Sequence, residues 1–259
     1  MEKSQKKYIK GMVFAALFAA LTAAVSPIKI PLGFTPVPIT LQTLMVLLSG
    51  AVLGSRLGAL SQFLYVLVGA LGLPVFAGGG SGLGALLGPS GGYLISYPFA
   101  AFITGKMIEK KKLNFFLKYA SFVLALLLVL IVFADFTLKL GIIKLWDAAS
   151  KSYLPMASMI SSTQRLLFIV ISIAIIFIIL AAVFYLKKTK LFSTDAILAM
   201  FAGTIIIYLF GSIWGKAVTG LPWSAIFVGW VLPFIVGDTI KLLAAAYIAK
   251  NIDIRRYLK

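Results

Sequence analysis

The sequence contains no cysteine and no histidine. Without cysteine there are no disulfides, no thiolate nucleophile and no sulfur ligand for a metal. Without histidine the imidazole base and the commonest metal ligand are missing too. Acids are scarce: Glu2, Glu109, Asp135, Asp147, Asp195, Asp238 and Asp253 are the only seven among 259 residues. No two of them stand at a convincing paired spacing for acid–base work. Nucleotide-binding loops are missing as well. Gly105-Lys106 runs into Met107 and Gly215-Lys216 into Ala217, without the loop or the hydroxyl that a phosphate cradle requires. No catalytic residue, metal site or cofactor is expected, so the chain does not read as an enzyme. It cannot drive uphill transport by hydrolysing nucleotides itself.

What the chain has in quantity is hydrocarbon. It is 61% hydrophobic and 12% charged, with a mean hydropathy of +1.07. A soluble domain of that apolarity would keep no surface for water, which makes this an integral protein of the lipid bilayer. The net charge of +17 does not point to nucleic acid. Basic residues sit at the ends of apolar runs, where they report membrane topology, and no nucleic-acid partner is expected.

Apolar runs near 11–27, 41–54, 57–72, 92–108, 115–135, 165–186, 194–213 and 223–249 predict eight spans in an all-α polytopic membrane protein. The first has a basic head and a signal-like apolar run, and is read as an uncleaved span. With the N-terminus placed in the cytoplasm, 17 of the 24 basic residues fall at inner ends, as the positive-inside rule requires. Both termini are then cytoplasmic. Asp135, just before a polar connection near 137–164, and Asp147 within it read as solvated residues.

Two loops stand out. Residues 26–43, SPIKIPLGFTPVPITLQT, hold four of the ten prolines. Proline fixes φ and removes amide donors, so this piece is an extended, semi-rigid flap. Thr40, Gln42 and Thr43 put donors and acceptors at its inner end. Residues 72–93, GLPVFAGGGSGLGALLGPSGGY, hold nine of the 23 glycines. Non-helical backbone near a bilayer needs internal partners or a polar cavity, and glycine permits close approach and left-handed conformations. A loop that encloses a ligand fits this composition better than a plain connector. The threading puts both loops on the outer face, as a two-part gate that Phe34 and Phe76 would close over one pocket.

Asp238 and Lys241 are the sharpest chemical signal. Pro233 cannot continue a preceding helix, so the regular part of the last span starts near Phe234 and Asp238 lies about one turn inside it. Residues three apart share a face. A charge at mid-membrane costs roughly 2.5–3.5 kcal/mol, which argues against a lipid-facing placement. Two readings are open: an ion pair that ties helices together, or a ligand site. In the first span, Ala15, Ala19 and Ala23, with Ala16, Ala20 and Ala24 beside them, offer small faces to another helix. That helix can belong to this chain or to a partner.

Three stretches, in order, carry a resemblance: FTPVPITLQTL, then GALSQFLYVLVGALGLPVFAGGGSGLGALLGPSGGY, then LPFIVGDTIK at 232–241. They closely resemble the BioY family, the biotin-specific substrate-binding (S) components of energy-coupling-factor (ECF) transporters. The resemblance covers residues 11 to about 110 and 194–250. It implies a six-helix S-component core, from which this chain departs by two inserted transmembrane helices. The division is then 1–112, the first four core spans with two outer gating loops; 113–192, the inserted helical pair; and 193–259, the last two core spans with the charged pair.

The resemblance further implies a multi-pass cell-membrane subunit that captures biotin at the outer face with high affinity. Its partners would be a transmembrane coupling subunit and two cytoplasmic ATPase subunits that drive import. By the resemblance, the biotin site takes in Thr40, Gln42, Phe76, Gly78, Gly79, Gly80, Gly91, Gly92, Tyr93, Asp238 and Lys241. Ala15, Ala16, Ala19, Ala20, Ala23 and Ala24 would meet the coupling subunit. Biotin suits these groups: Asp238 can accept the ureido N–H bonds, and charge-assisted bonds of that kind are about twice as strong as neutral ones. For Lys241 the ureido oxygen and the carboxylate both remain open. The alternative is a stand-alone secondary carrier of biotin or another small organic anion. A membrane enzyme acting on lipid would need clustered acids or histidines, which are missing.

Overall fold

A computed structural model of the chain describes residues 2–33, 35–109, 144–147, 152–155, 193–252 and 254. Contacts divide the chain into two compact units, residues 1–114 with 192–259, and residues 115–191. Phe34, Asp135 and the expected helix pair of 113–192 lie outside the described residues, as do the basic residues at 255–259. In the second unit, β3 (Lys144–Asp147) and β4 (Ser152–Pro155) pair antiparallel, with Lys144 opposite Pro155 and Asp147 opposite Ser152.

The described part of the first unit is mostly helical. Its helices, numbered among described elements, are α1 (Glu2–Val25), α2 (Gln42–Leu53), α3 (Ser55–Ala70), α4 (Gly82–Leu87), α5 (Gly91–Glu109), α6 (Thr194–Thr219), α7 (Trp223–Ile226) and α8 (Ile235–Asn251). Gln5–Val25, Asp195–Thr219 and Gly229–Asn251 are long and apolar enough to cross a membrane. Two local features depart from what the sequence predicts. Besides β3–β4, the proline-rich loop forms a short antiparallel ladder, β1 (Lys29–Ile30) with β2 (Ile39–Thr40), because its prolines hold the chain extended. The glycine-rich loop, expected to be non-helical, winds a 3₁₀ turn at Ala77–Gly79 and the short helix α4.

α5 is the central helix, packed against α6, α3 and α2. The reason is legible in its side chains. Gly92, Ser96, Ala100 and Thr104 recur every four residues and are all buried, so neighbouring backbones approach closely along one stripe. At its far end, a Cβ on Gly105 would run into the backbone of Gly54 and Ser55. There α2 and α3 meet at Gly54, whose φ of +89° is open to glycine and strained for other residues. Glu109 completes the joint, accepting from Ser55 N at 2.7 Å and Ser55 Oγ at 2.8 Å. A carboxylate from one helix thus satisfies the free amide that begins another.

α1 buries Gly11, Ala15, Phe18 and Thr22, and Ser26 just beyond its end is buried too, at spacings of four, three, four and four. The two alanine rows therefore separate. Ala15 is fully buried, and Ala19 and Ala23 pack against the core. Ala16, Ala20 and Ala24 are exposed.

The last helical stretch is not regular. A π turn (Phe227–Val231) and a 3₁₀ turn (Leu232–Phe234) precede α8, placing the regular helix one residue after the start expected from Pro233.

Candidate functional site

The proline-rich loop, the glycine-rich loop and helices α2, α5, α6 and α8 surround a cavity of about 100 Å³. Each wall has a local cause. The β1–β2 ladder carries the chain to Thr40, Gln42 and Thr43, where α2 begins. Gly69 of α3 leaves a seat for the Phe76 ring, which a side chain there would strike. Trp214 Nε1 donates to the Gly88 carbonyl at 3.0 Å, pinning the glycine-rich loop to α6. The Tyr93 hydroxyl donates to the Trp230 carbonyl within the π turn, the kind of widened turn that often accompanies functional sites.

Polar groups form one connected cluster in the lining. Asp238 and Lys241, 6% and 8% exposed, face each other at 2.6 Å. Asp238 Oδ1 also accepts from Thr43 Oγ1 at 3.0 Å, and Oδ2 accepts from the Tyr208 hydroxyl at 2.7 Å. Lys241 donates to Asp238, to the Thr40 carbonyl at 2.7 Å and to Thr43 Oγ1 at 3.1 Å. An ammonium has three protons and a carboxylate about four acceptor sites. Among the described residues Lys241 therefore has a partner for each of its protons, while Asp238 Oδ2 accepts one hydrogen bond, from Tyr208. Apolar and aromatic groups, Phe76, Tyr93, Leu94, Tyr97 and Phe234 among them, also line the cavity. The arrangement fits a small ligand with N–H donors on a largely apolar body.

Of the residues expected at the site, Thr40, Gln42, Phe76, Gly80, Tyr93, Asp238 and Lys241 line the cavity. Gly78, Gly79, Gly91 and Gly92 do not. Gly78 has φ +66° and lies under the Lys29 side chain, which leaves no room for a Cβ. Gly79 shapes the same turn at φ +81°. Gly91 packs on the Leu86 carbonyl, and Gly92 on Trp214 and the Phe210 carbonyl. Tyr97 and Tyr208 line the cavity and were not anticipated. Tyr97 stands one turn beyond Tyr93, a spacing that could have flagged it; nothing in the sequence marks Tyr208. Of the six alanines expected to meet a partner, only Ala16, Ala20 and Ala24 are exposed to one.

The model of the BioY family matches residues 1–194 and 168–257. A probable biotin transporter BioY of Pyrococcus horikoshii is 50% identical over 96 residues, 37% of this chain and 58% of that protein. A biotin transporter BioY of Thermotoga maritima is 46% identical over 104 residues, 40% of this chain and 60% of that protein. One of Lactococcus lactis subsp. cremoris is 34% identical over 137 residues, 52% of this chain and 71% of that protein. The match to the first two thus spans little more than half of each relative's length. In fold, the chain is similar to the crystal structure of an S-component for biotin from an ECF-type ABC transporter. The TM-score is 0.57 at 24% identity, over 97% of this chain and 93% of that one.

Proposed function

Since the chain belongs to the BioY family, we propose that it is the biotin-binding membrane subunit of an ECF-type vitamin transporter. It captures biotin at the outer face of the cell membrane and hands it to a transmembrane coupling subunit and two cytoplasmic ATPase subunits. The carrying observation is the Asp238–Lys241 pair, held by Thr43 and Tyr208 beneath two loops. Biotin's ureido N–H donates to Asp238 Oδ2, which can accept a second bond beside that from Tyr208. Lys241 reaches the ligand by exchanging one of its three bonds, at the ureido oxygen or at the carboxylate. Thr40, Phe76, Gly80 and Tyr93 close the pocket around the rest, while Gly78 and Gly79 shape the turn behind Phe76. Gly91 and Gly92 support it through Trp214.

In this reading the chain crosses the membrane eight times with both termini in the cytoplasm. Residues 1–112 and 193–259 form the six-helix core, and 113–192 add a helical pair. The three long apolar helices and the placement of basic residues at span ends support that threading. The exposed Ala16, Ala20 and Ala24 row is the face offered to the coupling subunit; Ala15, Ala19 and Ala23 serve packing within the chain.

Calorimetric titration of the purified, detergent-solubilised chain with biotin tests the assignment. One-site binding is expected, weakened about 100-fold or more in Asp238→Ala, which removes the acceptor and leaves Lys241 unpaired. A folded chain that takes up no biotin refutes the biotin assignment and favours a secondary carrier of another small anion.

A further inference from the structure

Tyr65 does not line the cavity. It is nonetheless 1% exposed, and its hydroxyl is a meeting point of three segments. Gln42 Nε2 donates to it at 2.6 Å, the Ser26 hydroxyl lies 2.9 Å away, and Tyr65 donates to the Val75 carbonyl at 3.0 Å. Ser26 follows the end of α1, Gln42 closes the proline-rich loop and Val75 opens the glycine-rich loop. The ring reinforces the junction: Phe76 meets it edge-on with centroids 5.7 Å apart, and Tyr97 stacks on it at 6.3 Å. One buried residue on α3 therefore holds a cavity-lining residue of each loop.

The bonds of Gln42 show what this residue is for. Its Oε1 accepts from Tyr97 at 3.0 Å and from Thr40 at 3.1 Å; its Nε2 donates to Ser26 at 2.9 Å and to Tyr65. A side-chain amide has two acceptor sites and two donors, and all four are used. Gln42 cannot recognise a ligand without giving up a bond inside the protein. Its side chain is a strut between the pocket and Tyr65.

We infer that Tyr65 is a positioning residue that couples the two loops, so that they open and close over the ligand together. The inference rests on the cavity being the ligand site. When the glycine-rich loop lifts, the Tyr65 hydroxyl loses its acceptor; when the proline-rich loop lifts, it loses its donor. Each departure leaves a buried polar group short of a partner, which is costly until the other loop also moves and admits water.

Tyr65→Phe in the full chain separates coupling from packing, because the ring contacts with Phe76 and Tyr97 are kept. Two readouts are taken: biotin association and dissociation rates, and ligand-free amide hydrogen exchange. Dissociation is expected to quicken about tenfold, with association unchanged or faster. Amides of both loops, Thr35 and Val37 on one and Phe76 and Gly79 on the other, exchange faster while those of α5 and α6 do not. Acceleration in one loop alone, or in neither, overturns the coupling. If the variant does not fold, seen as exchange through α5 and α6, the unsubstituted chain decides. Under conditions where exchange is limited by opening, its two loops share one opening rate, and two distinct rates overturn the inference. Failure of the chain to bind biotin refutes the ligand assignment, while the exchange arms still decide whether the loops are coupled.

Discussion

The two ends of the helical unit solve one packing problem with different chemistry. At the cavity end, tyrosine hydroxyls, a glutamine amide and an ion pair join helices that stand apart: Tyr93 to Trp230, Tyr97 to Gln42, Tyr208 to Asp238. At the other end, about 18 Å along the twelve residues of α2, backbones touch directly, with the Glu109–Ser55 bonds beside them. Gly50 lies against the Ala101 backbone, Gly58 against Gly50, and Gly105 against Ser55. In a membrane, apolar side chains gain little by leaving lipid for protein, so helices associate through close backbone contact or through interhelical hydrogen bonds. This chain relies mainly on the first where nothing needs to enter. It uses the second where a space must be kept, since a bonded pair of long side chains holds backbones apart as firmly as small residues bring them together.

That contrast can be broken at either end. Lys241→Met carries the largest expected effect: the buried carboxylate loses its counter-charge, at about 3–5 kcal/mol. Thermal unfolding in detergent should fall accordingly and recover in part when Asp238→Asn is added. Equal loss in the single and double variants would mean that charge pairing is not what Lys241 supplies. Gly105→Ala comes next. A single methyl forces α5 off the α2–α3 joint, for roughly 1–3 kcal/mol, while biotin affinity stays within about threefold because the cavity is a helix length away. Affinity falling together with stability would show that the two ends are one cooperative device. Glu109→Gln has the smallest effect, about 0.5–1 kcal/mol of thermal stability, since a neutral amide oxygen can still accept from Ser55 but without charge. No change at all would place the strength of the joint in its glycine contacts alone.

The same contrast explains what the sequence made legible. Asp238 and Lys241 were visible because charge within an apolar run has few tolerable positions. The prolines of residues 26–43 announced an extended segment. α8 begins one residue beyond Phe234 because Pro233 limits it. Tyr208 was hidden, since a tyrosine in a span is as ordinary facing lipid at an interface as facing a pocket; Tyr97 had only its one-turn spacing from Tyr93 to mark it. Glycine was the most ambiguous letter. Gly80 borders the cavity, Gly91 and Gly92 let α6 come close, and Gly78 accommodates Lys29; composition cannot separate a backbone approached by a ligand from one approached by a helix.

The split alanine rows of α1 have a consequence for how the helix keeps its phase. The rows lie about 100° apart and are chemically identical, so composition cannot tell the molecule which to bury. The decision falls to the other buried positions: the bulky Phe18, Thr22, whose hydroxyl donates back to the Phe18 carbonyl, and Ser26, whose hydroxyl bonds back to the Thr22 carbonyl and across to Tyr65. One extra residue inserted between Leu21 and Thr22 would turn everything before it by a single step. Ala16 and Ala20 would move into the slots of Ala15 and Ala19, and the inside would scarcely notice at those two places. The outside would meet Leu17 and Leu21 where it now meets alanine, and Phe18 would leave its seat. The outward face of α1 is thus encoded by a count of residues from its anchored end.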